Sequence, residues 1–264
     1  KQSRRDAKHF SPDAFRVSVT PAHPLPPTAY SFKLLMVQSE QLRPIRSFVR
    51  REGRITVAQQ RALETLWPRF GITPGASKLD LDVIFGRHAP RILEIGFGMG
   101  DALLACASTH PEIDYLGIEV HRPGIGSVLR KLGELNLNNV RIIDGDALEA
   151  LRQHLPDVSL DAIHVFFPDP WPKKRHNKRR LVQPEFMTLA HAKLKLGGRL
   201  HFATDWESYA QHMLEVVNAS PQFRNVADTG SFAIARANRP ETKFERRGRA
   251  LGHGVWDLIA EKIM

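Results

Sequence analysis

From Pro90 onward, short apolar segments alternate with helix-forming ones, and this alternation constrains the fold more than any other feature of the chain. Strand patterns fall at 91–95, 114–120, 140–143 and 160–167, separated by helical patterns over 101–108, 123–136 and 146–154. A helix over 184–195, a strand over 198–203 and a helix over 205–218 continue the series. It closes on strand candidates near 223–228 and 254–262. Strands separated by helices build βαβ units, which lay parallel strands side by side under helices on both faces. The 160–167 segment is almost continuously apolar, as a doubly covered parallel strand should be. An α/β fold with a mostly parallel seven-stranded sheet is expected.

The N-terminal stretch reads differently. Residues 1–42 sustain no helical or alternating period, and Thr20-Pro-Ala-His-Pro-Leu-Pro-Pro27 is proline-rich. A disordered or non-native tail is expected there, ahead of one domain over 43–264, with Met36 as a candidate natural start. Thr56 has the place of a helix N-cap, and Gln59 completes a capping-box pattern. Val57, Ala58, Leu63, Leu66 and Trp67 form the apolar stripe of that helix, which Pro68 should end or kink.

With 264 residues the chain can bury a sizeable core. Its single cysteine, Cys106, excludes a disulfide framework and a cysteine-based zinc site, and fits a reducing cytosol. On an apolar helix face, Cys106 reads as core rather than nucleophile. No apolar run approaches the roughly 20 residues that cross a bilayer, so a cytoplasmic protein with no membrane partner is expected. The twelve histidines show no metal-ligand spacing, and no metal is expected. His253, between two glycines, reads as structural and Trp256 as core. Monomer and weak dimer both remain open.

The net charge of +10 is unevenly placed. Residues 1–60 hold eleven Lys or Arg against four acids, including a basic strip over 43–54 with Ile45, Phe48 and Val49 interleaved. A second run, Lys173-Lys-Arg-His-Asn-Lys-Arg-Arg180, has six basic residues and no acid. Such runs are either solvated faces or phosphate-binding surfaces.

Two motifs carry chemistry. In Glu94-Ile-Gly-Phe-Gly-Met-Gly100, glycines at alternate positions end a strand and open a helix. Gly96, Gly98 and Gly100 let the backbone turn tightly and a ligand lie against it. Glu119 ends the next strand about twenty residues on, where an acid accepts ribose hydroxyls. Glu94 before the loop and Asp101 after it suit a cationic ligand better than a pyrophosphate, which favours S-adenosylmethionine over a dinucleotide. Asp146, after the third strand, can accept from an adenine amino group, cap a helix, or do both. The second motif, Phe166-Phe-Pro-Asp-Pro-Trp171, leaves the carboxyl end of the fourth strand, where open α/β sheets bind ligands. Prolines fix the backbone around Asp169, and the basic run follows at once, which argues for a nucleic-acid substrate. Asp205, in Ala203-Thr-Asp-Trp206, is either a helix N-cap or a substrate contact.

These motifs, with Gly117-Ile-Glu-Val120, His176-Asn-Lys-Arg-Arg180, Thr242-Lys-Phe-Glu245 and Leu251-Gly-His-Gly-Val-Trp-Asp257, occur in order. Over about residues 43–262 the chain resembles the bacterial tRNA (guanine-N7-)-methyltransferase family. The resemblance implies a Rossmann-like class I methyltransferase fold, S-adenosylmethionine as cofactor and tRNA as partner, methylated on its variable-loop guanine. It implies that Glu94, Glu119, Asp146 and Asp169 contact the cofactor region, with Asp169 catalytic. Lys173, Asp205, Thr242, Lys243, Phe244 and Glu245 would contact substrate, and Arg175, His176, Asn177, Lys178, Arg179 and Arg180 would meet RNA. A methyltransferase for another structured RNA and a non-catalytic RNA-binding protein on the same scaffold are the alternatives. The intact loop and acids argue against the second.

Overall fold

A computed structural model describes residues 47–48, 53–227, 231–233, 239–250, 252 and 254–264. The N-terminal tail, most of the 43–54 strip, Leu251 and His253 lie outside the described residues. Helix α1 (Val57–Phe70) carries the expected capping box, Thr56 Oγ1 accepting from Gln59 N and Gln59 Oε1 from Thr56 N. Its buried stripe follows the expected one at Leu63, with Leu66 and Trp67 half-buried against the same core, and departs from it in the first turn. Ala62, Leu63 and Phe70 are buried, whereas Val57 is 88% exposed and Ala58 is exposed too. The first turn of α1 packs against Gly126 through Gln59, so Val57 and Ala58 are left to water. Pro68 lies inside the helix, which runs on to Phe70.

Eight strands form one sheet. They are β1 (Gly71–Ile72), β2 (Arg91–Ile95), β3 (Asp114–Glu119), β4 (Val140–Asp144), β5 (Leu160–Phe166), β6 (Leu194–Thr204), β7 (Phe223–Asn225) and β8 (Trp256–Lys262). Their order is β1-β4-β3-β2-β5-β6-β8-β7, parallel except for β8, which runs antiparallel to both neighbours. The strand beyond the expected seven is β1. Two residues, one a glycine, have no alternation to read, and only pairing with Ile142 and Ile143 makes them a strand.

Between the strands lie α2 (Leu81–Phe85), α3 (Asp101–Thr109), α4 (Arg122–Leu135), a short α5 (Ala147–Glu149) ending in a π turn over Ala150–His154, α6 (Pro184–Lys193), α7 (Glu207–Asn218) and α8 (Lys243–Ala250). Successive strand residues point to opposite faces. Leu116 and Ile118 of β3 join the core under α6 and α7, while Tyr115 joins the core under α1, α3 and α4. Both sheet faces are thus buried, and the carboxyl ends of β2 to β6 open onto one rim.

Candidate active site

The glycine loop sits on that rim. Gly96, Gly98 and Gly100 have φ of 73°, 55° and 77°, the left-handed region where a side chain is strained. A Cβ on Gly96 or Gly98 would meet only open space, so both leave a cradle uncovered. Glu119 ties the loop down: its Oε2 accepts from Gly98 N at 2.8 Å, and its Oε1 from Val120 N and His121 N at 2.7 and 2.9 Å. A carboxylate has about four acceptor sites, so one remains for a ligand. A cavity of about 400 Å³ opens beside it, lined by Gly96, Glu119, His121 and Asp169 among others. Asp146 caps α5 through Leu148 N at 2.8 Å, while its neighbours Gly145 and Ala147 line the cavity.

Glu94 is buried beneath the loop. Burial, with the Glu119 charge beside it, pushes its carboxyl up to about 8. The folded protein therefore holds a proton there that the unfolded chain releases near its ordinary value of 4.5. That contribution to stability is fully present below the unfolded value and is lost as pH rises through about 8. Glu94→Gln should remove the loss. Its stability advantage over the parent should grow with pH, by up to about 1.4 kcal/mol per unit, between pH 5 and 8. Urea titrations across that range check this, and parallel curves would refute it.

The loop after β5 is strained on both sides of Asp169. Phe167 and Trp171 have φ of 52° and 47° without being glycine. Such backbone persists only where the surroundings over-determine it. Here Phe167 N donates to Ala203 O at 2.7 Å, and Trp171 Nε1 donates to Ser47 O at 3.1 Å. The Arg179 guanidinium lies 4.0 Å over the Trp171 ring, and His176 meets its edge at 5.9 Å. Arg180 Nε donates to Pro170 O at 3.0 Å. Asp169 is exposed on this frame and reaches the cavity.

The basic run thus divides in two. It forms a 3₁₀ turn over Lys174–Arg179, with Lys173, Lys174, Arg175 and Lys178 exposed. Arg180 is buried and also donates through Nη1 and Nη2 to Ser208 O and Oγ, at 3.0 and 3.1 Å. The backbone oxygen of Asn177 accepts from Gln183 Nε2 at 3.1 Å. The equal treatment of these residues as RNA contacts is corrected for Arg180, whose side chain braces the loop from within.

Asp205 is not the cap of α7. Trp206 occupies that place, leaving Asp205 half-exposed at the end of β6. Thr242 caps α8, Glu245 N donating to its Oγ1 at 3.2 Å. Lys243 and Phe244 open α8, and their side chains lie outside the described residues. Glu245 is fully buried, and Arg239 Nη1 donates to its Oε2 at 2.5 Å. Its carboxylate therefore faces an arginine inside the protein. Sequence reading missed Arg239. Its Nε and Nη2 donate to Asp257 Oδ1 and Oδ2 at 2.6 and 2.8 Å, and it lies 5.4 Å over the Phe167 ring. Burial alone would raise the Asp257 carboxyl, but bonds to His201 and Arg239 hold it below the ordinary value.

The chain is similar to known proteins. Residues 88–258 match a family model described as "Putative methyltransferase". A tRNA (guanine-N(7)-)-methyltransferase of Alkalilimnicola ehrlichii is 59% identical over 222 residues, 83% of this chain and 93% of that one. The chain belongs to the tRNA (guanine-N7-)-methyltransferase family. A second member, from Pseudomonas aeruginosa, is 54% identical over 226 residues, covering 86% of this chain and 93% of its own. The solved 16S rRNA methyltransferase KamB, 13% identical, has a TM-score of 0.54 over 74% of this chain and 99% of its own, a likeness of fold alone.

In this family member Cys106 is half-buried against the core, and burial pushes its thiol up to about 12, which makes it a poor nucleophile. Trp256 is half-buried rather than core, because it starts β8 at the rim. Among the described residues no group of three His, Cys, Asp or Glu can hold a metal, and no helix is long and apolar enough to cross a membrane.

Proposed function

We propose that the chain transfers the methyl group of S-adenosylmethionine to N7 of the variable-loop guanine of tRNA, acting in the cytoplasm. The observation that carries this reading is the single cavity shared by Glu119, on the glycine-loop side, and Asp169, on the loop after β5. The cofactor fits the residues present. Gly96 and Gly98 leave a backbone cradle open, Glu119 keeps an acceptor site for a ribose hydroxyl, and buried Glu94 is better ionised beside a cation. Asp146 keeps one oxygen beyond its capping bond for the adenine amino group. When bound, S-adenosylmethionine supplies an electrophilic methyl group on a positively charged sulfur.

Guanine N7 has a free lone pair in the neutral base, so no residue must first remove a proton from it. What this chain contributes is alignment, worth up to roughly 7–11 kcal/mol in ideal cases. The strained, proline-flanked loop holds Asp169 at the cavity. There its carboxylate can accept from the guanine N–H donors and offset the positive charge that grows on the base. Asp205, at the end of the adjacent strand, is proposed to hold the same base, and Lys173 its phosphate. For Thr242, Lys243, Phe244 and Glu245 the family resemblance supports a place on the substrate side. Methyl transfer from labelled cofactor to bulk tRNA, followed by nucleoside analysis, tests the reading. N7-methylguanosine is expected, and label in any other nucleoside would overturn it.

The exposed part of the basic run is proposed to bind phosphate. Neutralising Lys174, Arg175 and Lys178 together should weaken tRNA binding and flatten its salt dependence, by about one unit of log–log slope for each phosphate no longer neutralised. Arg180 is spared because its loss would disturb the loop. A salt slope equal to the parent's would remove this strip from the interface.

A further inference from the structure

Among the Phe, Trp and Tyr residues whose side chains are described, only Trp206 is exposed, at 38%. Its position is specific. Phe166 of β5 and Ala203 of β6 are register partners, so the loop carrying Asp169 and the segment carrying Trp206 leave the same rim from adjacent parallel strands. The indole is also pinned. Trp206 Nε1 donates to Ser208 Oγ at 2.9 Å, and its backbone N donates to Thr204 Oγ1 at 3.2 Å.

Ser208 is in turn held by the buried guanidinium of Arg180, which also holds Pro170 O, one residue past Asp169. One arginine thus sets the indole relative to the Asp169 loop. Starting the helix does not require this ring. The Trp206 carbonyl accepts from Tyr209 N and Ala210 N, and no side-chain bond caps α7. Trp206 is left 38% exposed, on a rim whose next turn displays Lys173, Lys174, Arg175 and Lys178. A fixed aromatic face beside exposed cations is how proteins take up unstacked bases of RNA, the ring for the base and the cations for the phosphates.

We propose that the Trp206 indole is a stacking platform for a tRNA nucleobase next to the target guanine. This inference rests on the tRNA-methylating reading and adds a contact to it. The test compares the parent with Trp206→Ala and Trp206→Phe, measuring tRNA affinity, cofactor affinity, and kcat and KM for tRNA.

Loss of one stacked base should weaken tRNA binding and raise KM about tenfold in Trp206→Ala. Cofactor affinity, thermal midpoint and kcat at saturating tRNA should be retained. Trp206→Phe keeps an aromatic face without the indole N–H, and should recover most of the affinity. Unchanged tRNA affinity in Trp206→Ala, or equal impairment of both variants, would overturn the platform. A fall in thermal midpoint and cofactor affinity in both would do the same, by assigning Trp206 to the fold. If the parent itself transfers no methyl group to tRNA, the proposed function falls instead.

Discussion

Asp169→Ala is expected to lower methyl transfer by about 10²–10³ at saturating tRNA, the range seen when one oriented group that meets developing charge is removed. The loop around Asp169 is fixed independently of that side chain, through Phe167 N to Ala203 O, Arg180 to Pro170 O and Trp171 to Ser47 O. Asp169 itself is exposed. Its removal should therefore leave stability and tRNA affinity close to the parent's. An interaction made mainly in the transition state lowers turnover without a matching loss of ground-state binding. Asp169→Asn should also be poor, because the amide keeps the shape but loses the charge that offsets cationic guanine. Single-turnover methylation beside a binding titration separates the two quantities. Near-parental turnover in either variant would reduce Asp169 to a loop-shaping residue.

Arg239→Met is expected to destabilise the protein by about 3–5 kcal/mol, the cost of breaking a buried ion pair from one side. The substitution leaves two buried carboxylates, Asp257 and Glu245, without their guanidinium. Arg239→Lys should recover little, since an ammonium cannot match the two oxygens of Asp257 and reach Glu245 together. Because Arg239 joins α8 to β8 and lies over Phe167, the cavity rim should loosen along with the fold. Urea unfolding of both variants reads the effect. A loss below about 1 kcal/mol would mean that the network is screened as at a surface.

The amino-acid sequence by itself determined the parts of this protein whose signals are local. Strand and helix alternate because apolar period and turn residues act over a few positions, and six of the expected strands and their helices lie within a few residues of where the patterns put them. The β6 strand starts earlier, at Leu194, because pairing with Leu160 extends it. The glycine loop, Glu119 at the next strand end and the two prolines around Asp169 were legible for the same reason. Each is a backbone demand written in neighbouring residues.

What only the tertiary structure decided depends on partners far along the chain. Lys178 and Arg180 are alike in a basic run, yet one is exposed and the other is buried against Ser208, 28 residues away. Glu245 reads as a site acid in the sequence, and only the fold brings Arg239 against it, with Arg239 held in turn by Asp257, 18 residues on. Leu63, Leu66 and Trp67 of α1 meet the core as their apolar period says, but Val57 and Ala58 stay in water because the first turn meets its neighbour through Gln59, a choice made by packing. Charge and polarity fix what a side chain can do, and packing fixes whether it does so in water or inside the protein, where the same group becomes a brace.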